Sequence, residues 1–136
     1  MRKILLFAIT VIASASAFAE KWEALLTLPG LSISVDRDSV KNTSAGILGW
    51  QKWSYDEDRV FESYRYRSGK YLIYSNCLKG TRANAGFTLL DENGNAVLIR
   101  NAETFAFAPP PVGTIPYKIH QLICQPAQPS LRPAEP

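Results

Sequence analysis

Leu31-Ser32-Ile33-Ser34-Val35-Asp36 alternates apolar and polar side chains without a break. Successive side chains of a strand point to opposite faces, so this run reads as a strand with one face buried and one wet. The same period continues downstream. Residues 47–54 form a second strand across a polar turn containing Asn42, Ser44 and Gly46. Residues 61–67 and 70–77 predict a hairpin closed by Ser68-Gly69, and residues 86–90 and 96–100 another closed by Asn93-Gly94. Asn and Gly both tolerate the positive φ of a type I′ turn. Residues 104–108 add a strand before Pro109-Pro110-Pro111 stops it. One segment changes period: Ile115, Ile119, Leu122 and Ile123 recur at helical spacing, with Thr114 to cap and Pro116 in the first turn. The expected fold is α+β, mostly β: a meandering antiparallel sheet with a C-terminal helix.

The N-terminus points to export. Arg2 and Lys3 precede an apolar run over residues 4–13, and Ala17-Phe18-Ala19 is a small-x-small cleavage site. The run is too short to cross a ~30 Å hydrocarbon core, so residues 1–19 are expected to be a cleaved signal peptide. Glu20 rather than cysteine follows the cut, so no lipid anchor and no stable membrane attachment are expected. Of 15 Lys and Arg, the signal peptide removes Arg2 and Lys3, which leaves 13 against 12 Asp and Glu. That near-neutral balance argues against nucleic acid as a partner. Residues 20–124 are read as one domain, and residues 125–136, with four prolines, as a solvated tail.

Cys77 and Cys124 both lie beyond the cut. An even cysteine count in an exported chain reads as a disulfide, and two cysteines allow one intramolecular pairing. It ties the helix back to a strand. Closing a loop of that length is worth about 4 kcal/mol in the chain-entropy account. Continuing the helix to Cys124 places that residue roughly opposite the apolar stripe, so either the helix ends by Ile123 or the disulfide sits at its edge.

The order of these features resembles the surface-adhesin protein E-like family of bacterial exported domains. The residues that carry it are Trp22, then Val35-Asp36-Arg37-Asp38-Ser39-Val40, Trp50, Tyr74-Ser75-Asn76-Cys77 with Arg82, a glycine-bearing hairpin, a proline-rich turn and Cys124. This chain has Phe105 or Phe107 where the family usually has a Trp before that turn, and Pro111-Val112-Gly113-Thr114 for its Pro-Gly-Ser step. The resemblance implies an adhesin E-like fold over the mature domain and a non-enzymatic binding role.

No catalytic, cofactor or metal constellation is legible. His120 is the only histidine and is read as a solvated residue on the flank of the helix stripe. No serine sits in a nucleophile elbow, with Ser54, Ser63 and Ser75 placed on strands. Asp56-Glu57-Asp58 lacks the spaced oxygens of a calcium loop and is read as a solvated turn. The partner-binding candidates are Trp53 and Tyr55, on the strand face opposite Trp50, with Arg65 and Arg67 of Tyr64-Arg65-Tyr66-Arg67. Aromatics make good anchors, and arginines engage carboxylate or phosphate. The expected function is binding of an extracytoplasmic protein or polysaccharide by a Gram-negative periplasmic or secreted domain. The alternative is a periplasmic accessory protein that binds a small ligand or envelope component.

Overall fold

Seven strands, a one-turn 3-10 helix (Arg37–Ser39) and one α-helix lie within residues 21–125, which the computed structural model describes; the expected signal peptide and most of the expected tail lie outside them. The strands are β1 (Trp22–Leu28), β2 (Leu31–Asp36), β3 (Lys41–Thr43), β4 (Gly46–Phe61), β5 (Tyr64–Asn76), β6 (Thr81–Leu90) and β7 (Ala96–Asn101), followed by α1 (Ile115–Cys124). All pair antiparallel in one sheet of order β1-β2-β4-β5-β6-β7, with the short β3 paired to β4. The α+β, mostly β expectation holds.

The alternation in β2 sets which face is buried. Ile33 and Val35 are buried, and their partners Trp53 and Gln51 carry that face across to β4. Gly69 and Tyr71 continue it on β5, and Leu89 and Phe87 on β6. The apolar stripe of α1 covers one half of this face: Ile119 and Ile123 pack on the fully buried Ile33, with Leu31, Ile47 and Trp53 around them. Burying one such isoleucine is worth about 2 kcal/mol. The helix starts where its chemistry allows: the Thr114 hydroxyl accepts from Tyr117 N–H at 3.3 Å and donates to the Pro111 carbonyl at 2.7 Å. It ends at Cys124, whose disulfide to Cys77 holds the two Cα atoms 5.5 Å apart. The motif after β2 also has a mechanical role. The Ser39 hydroxyl donates to the Asp36 carbonyl at 2.7 Å and accepts from Trp50 N–H at 3.0 Å, which pins the β2–β3 connection to β4.

Four expectations are corrected. Ser68-Gly69 is not a turn: both residues lie inside β5 and pair on both sides, Ser68 with Ser54 and Leu90, Gly69 with Trp53 and Leu89. The real turn is Glu62-Ser63, whose φ values of 45° and 70° are those of a type I′ hairpin; Ser63 is therefore a turn residue, not a strand residue. Second, the Asn93-Gly94 loop is a hairpin of another type. Gly94 N–H donates to the Asp91 carbonyl at 3.0 Å and only Gly94 has positive φ, so a three-residue loop replaces type I′. The Asp91 carboxylate holds it by accepting from the N–H groups of Asn93 and Asn95, each at 2.9 Å. Third, residues 104–108 are not a strand. Ala108 alone bridges to Arg82 through two 3.0 Å backbone bonds, while Phe105 and Phe107 lie against Tyr74 on the far face of the sheet. Finally, Asp56-Glu57-Asp58 sits within β4 rather than in a turn, at a bulge. Five steps along β4, from Ser54 to Arg59, match two along β5, from Ser68 to Tyr66.

That bulge bends the hairpin end over the sheet. Phe61 pairs with Tyr64 and Phe87 with Tyr71, and Tyr64 and Tyr71 are about 23 Å apart on a straight strand. Yet the rings of Phe61 and Phe87 meet edge to face, with centroids 5.8 Å apart. The hairpin therefore curls back across the half of the face that the helix leaves open. Glu62 at its tip binds Arg100 of β7 through both carboxylate oxygens, the longer bond 3.0 Å.

Candidate binding surface and pocket

Trp53 sits between Ile33 and Gly69 in the sheet, half-buried at the edge of the helix core. Its ring meets Tyr71 edge to face at 6.1 Å; Tyr71 in turn meets Phe87 at 6.1 Å, and Phe87 meets Phe61. A continuous aromatic row thus runs from under the helix to the curled hairpin. Tyr55, two residues along β4, stands edge to face with the buried Tyr66 at 6.2 Å, with the Arg59 guanidinium 4.6 Å above its ring. Burial pushes the Tyr71 hydroxyl up to about 12 and raises Tyr55 as well; the neighbouring tyrosines add to both shifts and Arg59 opposes them.

Arg65 and Arg67 come together elsewhere. Both reach Asp58, at 3.7 and 2.9 Å, and Arg67 also lies 3.8 Å from Glu92. Among the described residues no ring contact or ion pair joins either arginine to Trp53 or Tyr55. The structure therefore divides the four candidates: Trp53 in the interior row, Tyr55 against the buried Tyr66, and the two arginines on an acidic cluster at the hairpin. Around that hairpin the sequence reading missed an exposed apolar group. Val60, Phe61, Tyr64 and Ile99 remain 66, 39, 42 and 62% exposed. The signal was available in Val60-Phe61, but the misplaced turn hid it within a strand.

A second feature was also missed. Between the first turn of α1 and the sheet lies a cavity of about 200 Å³ lined by Trp53, Tyr71, Arg82, Asn84 and Pro116. Arg82 is half-buried, opposite Ser75 on β5, and burial lowers its pKa. Beyond it lies His120, which corrects the expectation of a solvated histidine: it is 8% exposed. Its Nδ1 is buried without a hydrogen-bond partner among the described residues, and its Nε2 lies 3.7 Å from the Cys124 sulfur. Burial first, and the charge of Arg82 second, lower its pKa.

Among the described residues no group of three His, Cys, Asp or Glu is placed to hold a metal ion, and no helix is long and apolar enough to cross a membrane. One antiparallel sheet, with α1 disulfide-bonded back onto its buried face, defines a small disulfide-stapled α+β domain. Residues 22–125 match the family model of surface-adhesin protein E, and the chain belongs to that family, an adhesin-like class of exported binding domain. Neither a curated protein nor a solved structure gives a significant match.

Proposed function

We propose that this domain is a non-enzymatic binding module, exported by a Gram-negative bacterium, whose partner is an extracytoplasmic protein or polysaccharide. The observation that carries the reading is the curled end of the β4–β5 hairpin. There Val60, Phe61 and Tyr64 stand exposed beside Arg65, on a ribbon fixed by the Glu62–Arg100 ion pair. Exposed aromatics next to an arginine are the side chains that protein interfaces favour at their energetic centre. Tyr55 and Arg67 support this surface from behind, through Tyr66 and Asp58. Trp53 holds the base of the ribbon through Tyr71.

The test is location, then binding. A tag after Cys124 is probed with external protease on intact cells, and the culture medium is blotted alongside. Digestion, or release into the medium, supports adhesion. The purified domain is then assayed on immobilised matrix proteins and surface polysaccharides, with Tyr64→Ala and Arg65→Ala expected to weaken capture. Protection until the outer membrane is permeabilised would sink the adhesive reading.

The Trp53–Tyr71–Arg82 cavity favours a second reading, a periplasmic accessory protein that binds a small ligand. Aromatic walls with a few convergent polar groups are the usual make-up of a ligand site.

A further inference from the structure

We propose that the cavity between the first turn of α1 and the sheet binds the carboxylate of a small ring-bearing acid: Arg82 holds the carboxylate, and Trp53 and Tyr71 hold the ring. This deepens the small-ligand reading and rests on it.

Arg82 stands apart from the other arginines. Residues 21–125 contain six. Arg37, Arg65, Arg67 and Arg100 each reach a carboxylate, and Arg59 lies over the Tyr55 ring. The Arg82 guanidinium has no hydrogen bond, ion pair or ring contact among the described residues, although it is half-buried at a cavity wall. A guanidinium taken partly out of water with nothing to bind costs stability, and its planar fork fits a carboxylate with two parallel bonds.

The rest of the lining is biased the same way. The oxygen of Asn84 is committed, accepting from Gly86 N–H at 2.9 Å, which leaves its NH2 group to donate. The Trp53 indole N–H can only donate. The Tyr71 hydroxyl lies over Gly69, on the side away from Ser75 and its partner Arg82, so Tyr71 offers the cavity its ring rather than a donor. Among the described residues no Asp or Glu lines the cavity, and Pro116 adds an apolar ring to its wall. Arg82, Asn84 and Trp53 all carry donors, and with no carboxylate among the described lining residues they call for an acceptor-rich anion. Size then narrows the choice: about 200 Å³ is below the ~300 Å³ at which drug-sized sites begin, so one ring fits. Sugar acids and aromatic acids share this chemistry, and the experiment separates them.

The purified oxidised domain, with tryptophan indoles followed by NMR, is titrated with glucuronate and with benzoate. Glucose, benzamide, acetate and inorganic phosphate serve as controls. A saturable shift of the Trp53 indole signal with at least one ring acid, at least tenfold tighter than with its neutral counterpart, acetate or phosphate, is expected. Glucuronate alone would identify a sugar-acid site and benzoate alone an aromatic-acid site. Arg82→Gln should weaken binding at least tenfold, with Arg82→Lys between the two, since it keeps the charge and loses the fork. No saturable shift with either acid, equal binding of a neutral counterpart, acetate or phosphate, or unchanged affinity in a folded Arg82→Gln would overturn the proposal. The acid-against-neutral comparison on the unaltered protein decides the matter even if the variants misfold. Surface exposure of the tag bears on adhesion alone, so either reading can fail without the other.

Discussion

Tyr71 lays its ring across Gly69: a Cβ on Gly69 would lie 2.6 Å from the Tyr71 hydroxyl oxygen and 2.7 Å from a ring carbon. Glycine is present here because a ring occupies the space a side chain would need. Tyr71 is hemmed in by Trp53 and Phe87, so it has little freedom to swing aside. Gly69→Ala is therefore expected to destabilise the domain by about 1–3 kcal/mol and to alter the near-UV circular dichroism of the aromatic row. A variant with unchanged denaturant midpoint and spectrum would contradict this packing.

Gln51 gives a prediction of opposite sign. It is 2% exposed, paired with Val35 of the neighbouring β2, and its Oε1 has no hydrogen-bond partner among the described residues. Leaving a buried carbonyl unsatisfied costs about 1–3 kcal/mol. Gln51→Met keeps the length of the side chain and removes that oxygen, so the melting temperature should rise. A fall would mean that the amide is satisfied in solution.

His120 makes stability depend on pH. Its folded pKa lies below its ordinary value of about 6.5, through burial and the charge of Arg82. The unfolded chain therefore takes the proton first. Its contribution is complete above the unfolded value and declines as pH falls from about 6.5 toward the folded value. His120→Gln should remove that slope in a series of denaturant melts between pH 7.5 and 5. The Glu62 carboxylate, whose pKa the bond to Arg100 lowers, loses its contribution at pH values more acid than this series covers. An identical slope with and without His120 would assign it to other groups.

The disulfide offers the largest expected change. Paired Cys77→Ser and Cys124→Ser substitutions, or reduction, should lower stability by about 4 kcal/mol. Trp53 packs on the helix core, so its fluorescence should shift to the red if the freed helix lifts. A reduced protein with the same midpoint and emission would show that the packing of Ile119 and Ile123 alone holds the helix.

Strand faces, helix and disulfide were legible in the sequence because each rests on local pattern: alternation in β2, the cap and stripe of α1, two cysteines. The Ser68-Gly69 error has a physical source. A glycine that makes room for a neighbouring ring looks the same in sequence as one that supplies positive φ, and the true turn uses Glu62 and Ser63, neither a strong turn signal. Moving the turn six residues also misplaced the hairpin end and hid its exposed side chains. The arginine pair was legible as a charge cluster, but its neutralisation by Asp58 needed the bulge in β4. Arg82 was visible only as one residue of a family pattern. Its unpaired state depends on which carboxylates fail to reach it, and no local pattern carries that.

The Cys77–Cys124 bond closes a covalent ring of 47 residues' separation that contains β6, β7 and α1 and leaves out β1 to β5. A pull applied before Trp22 and after Cys124 would run along β1 to β5, cross the sulfur bridge and bypass everything between. Arg82, Asn84 and Pro116 ride inside the unloaded ring, while Trp53 and Tyr71 belong to the loaded strands. Under tension the two walls of the cavity would therefore belong to different mechanical parts, one strained and one slack.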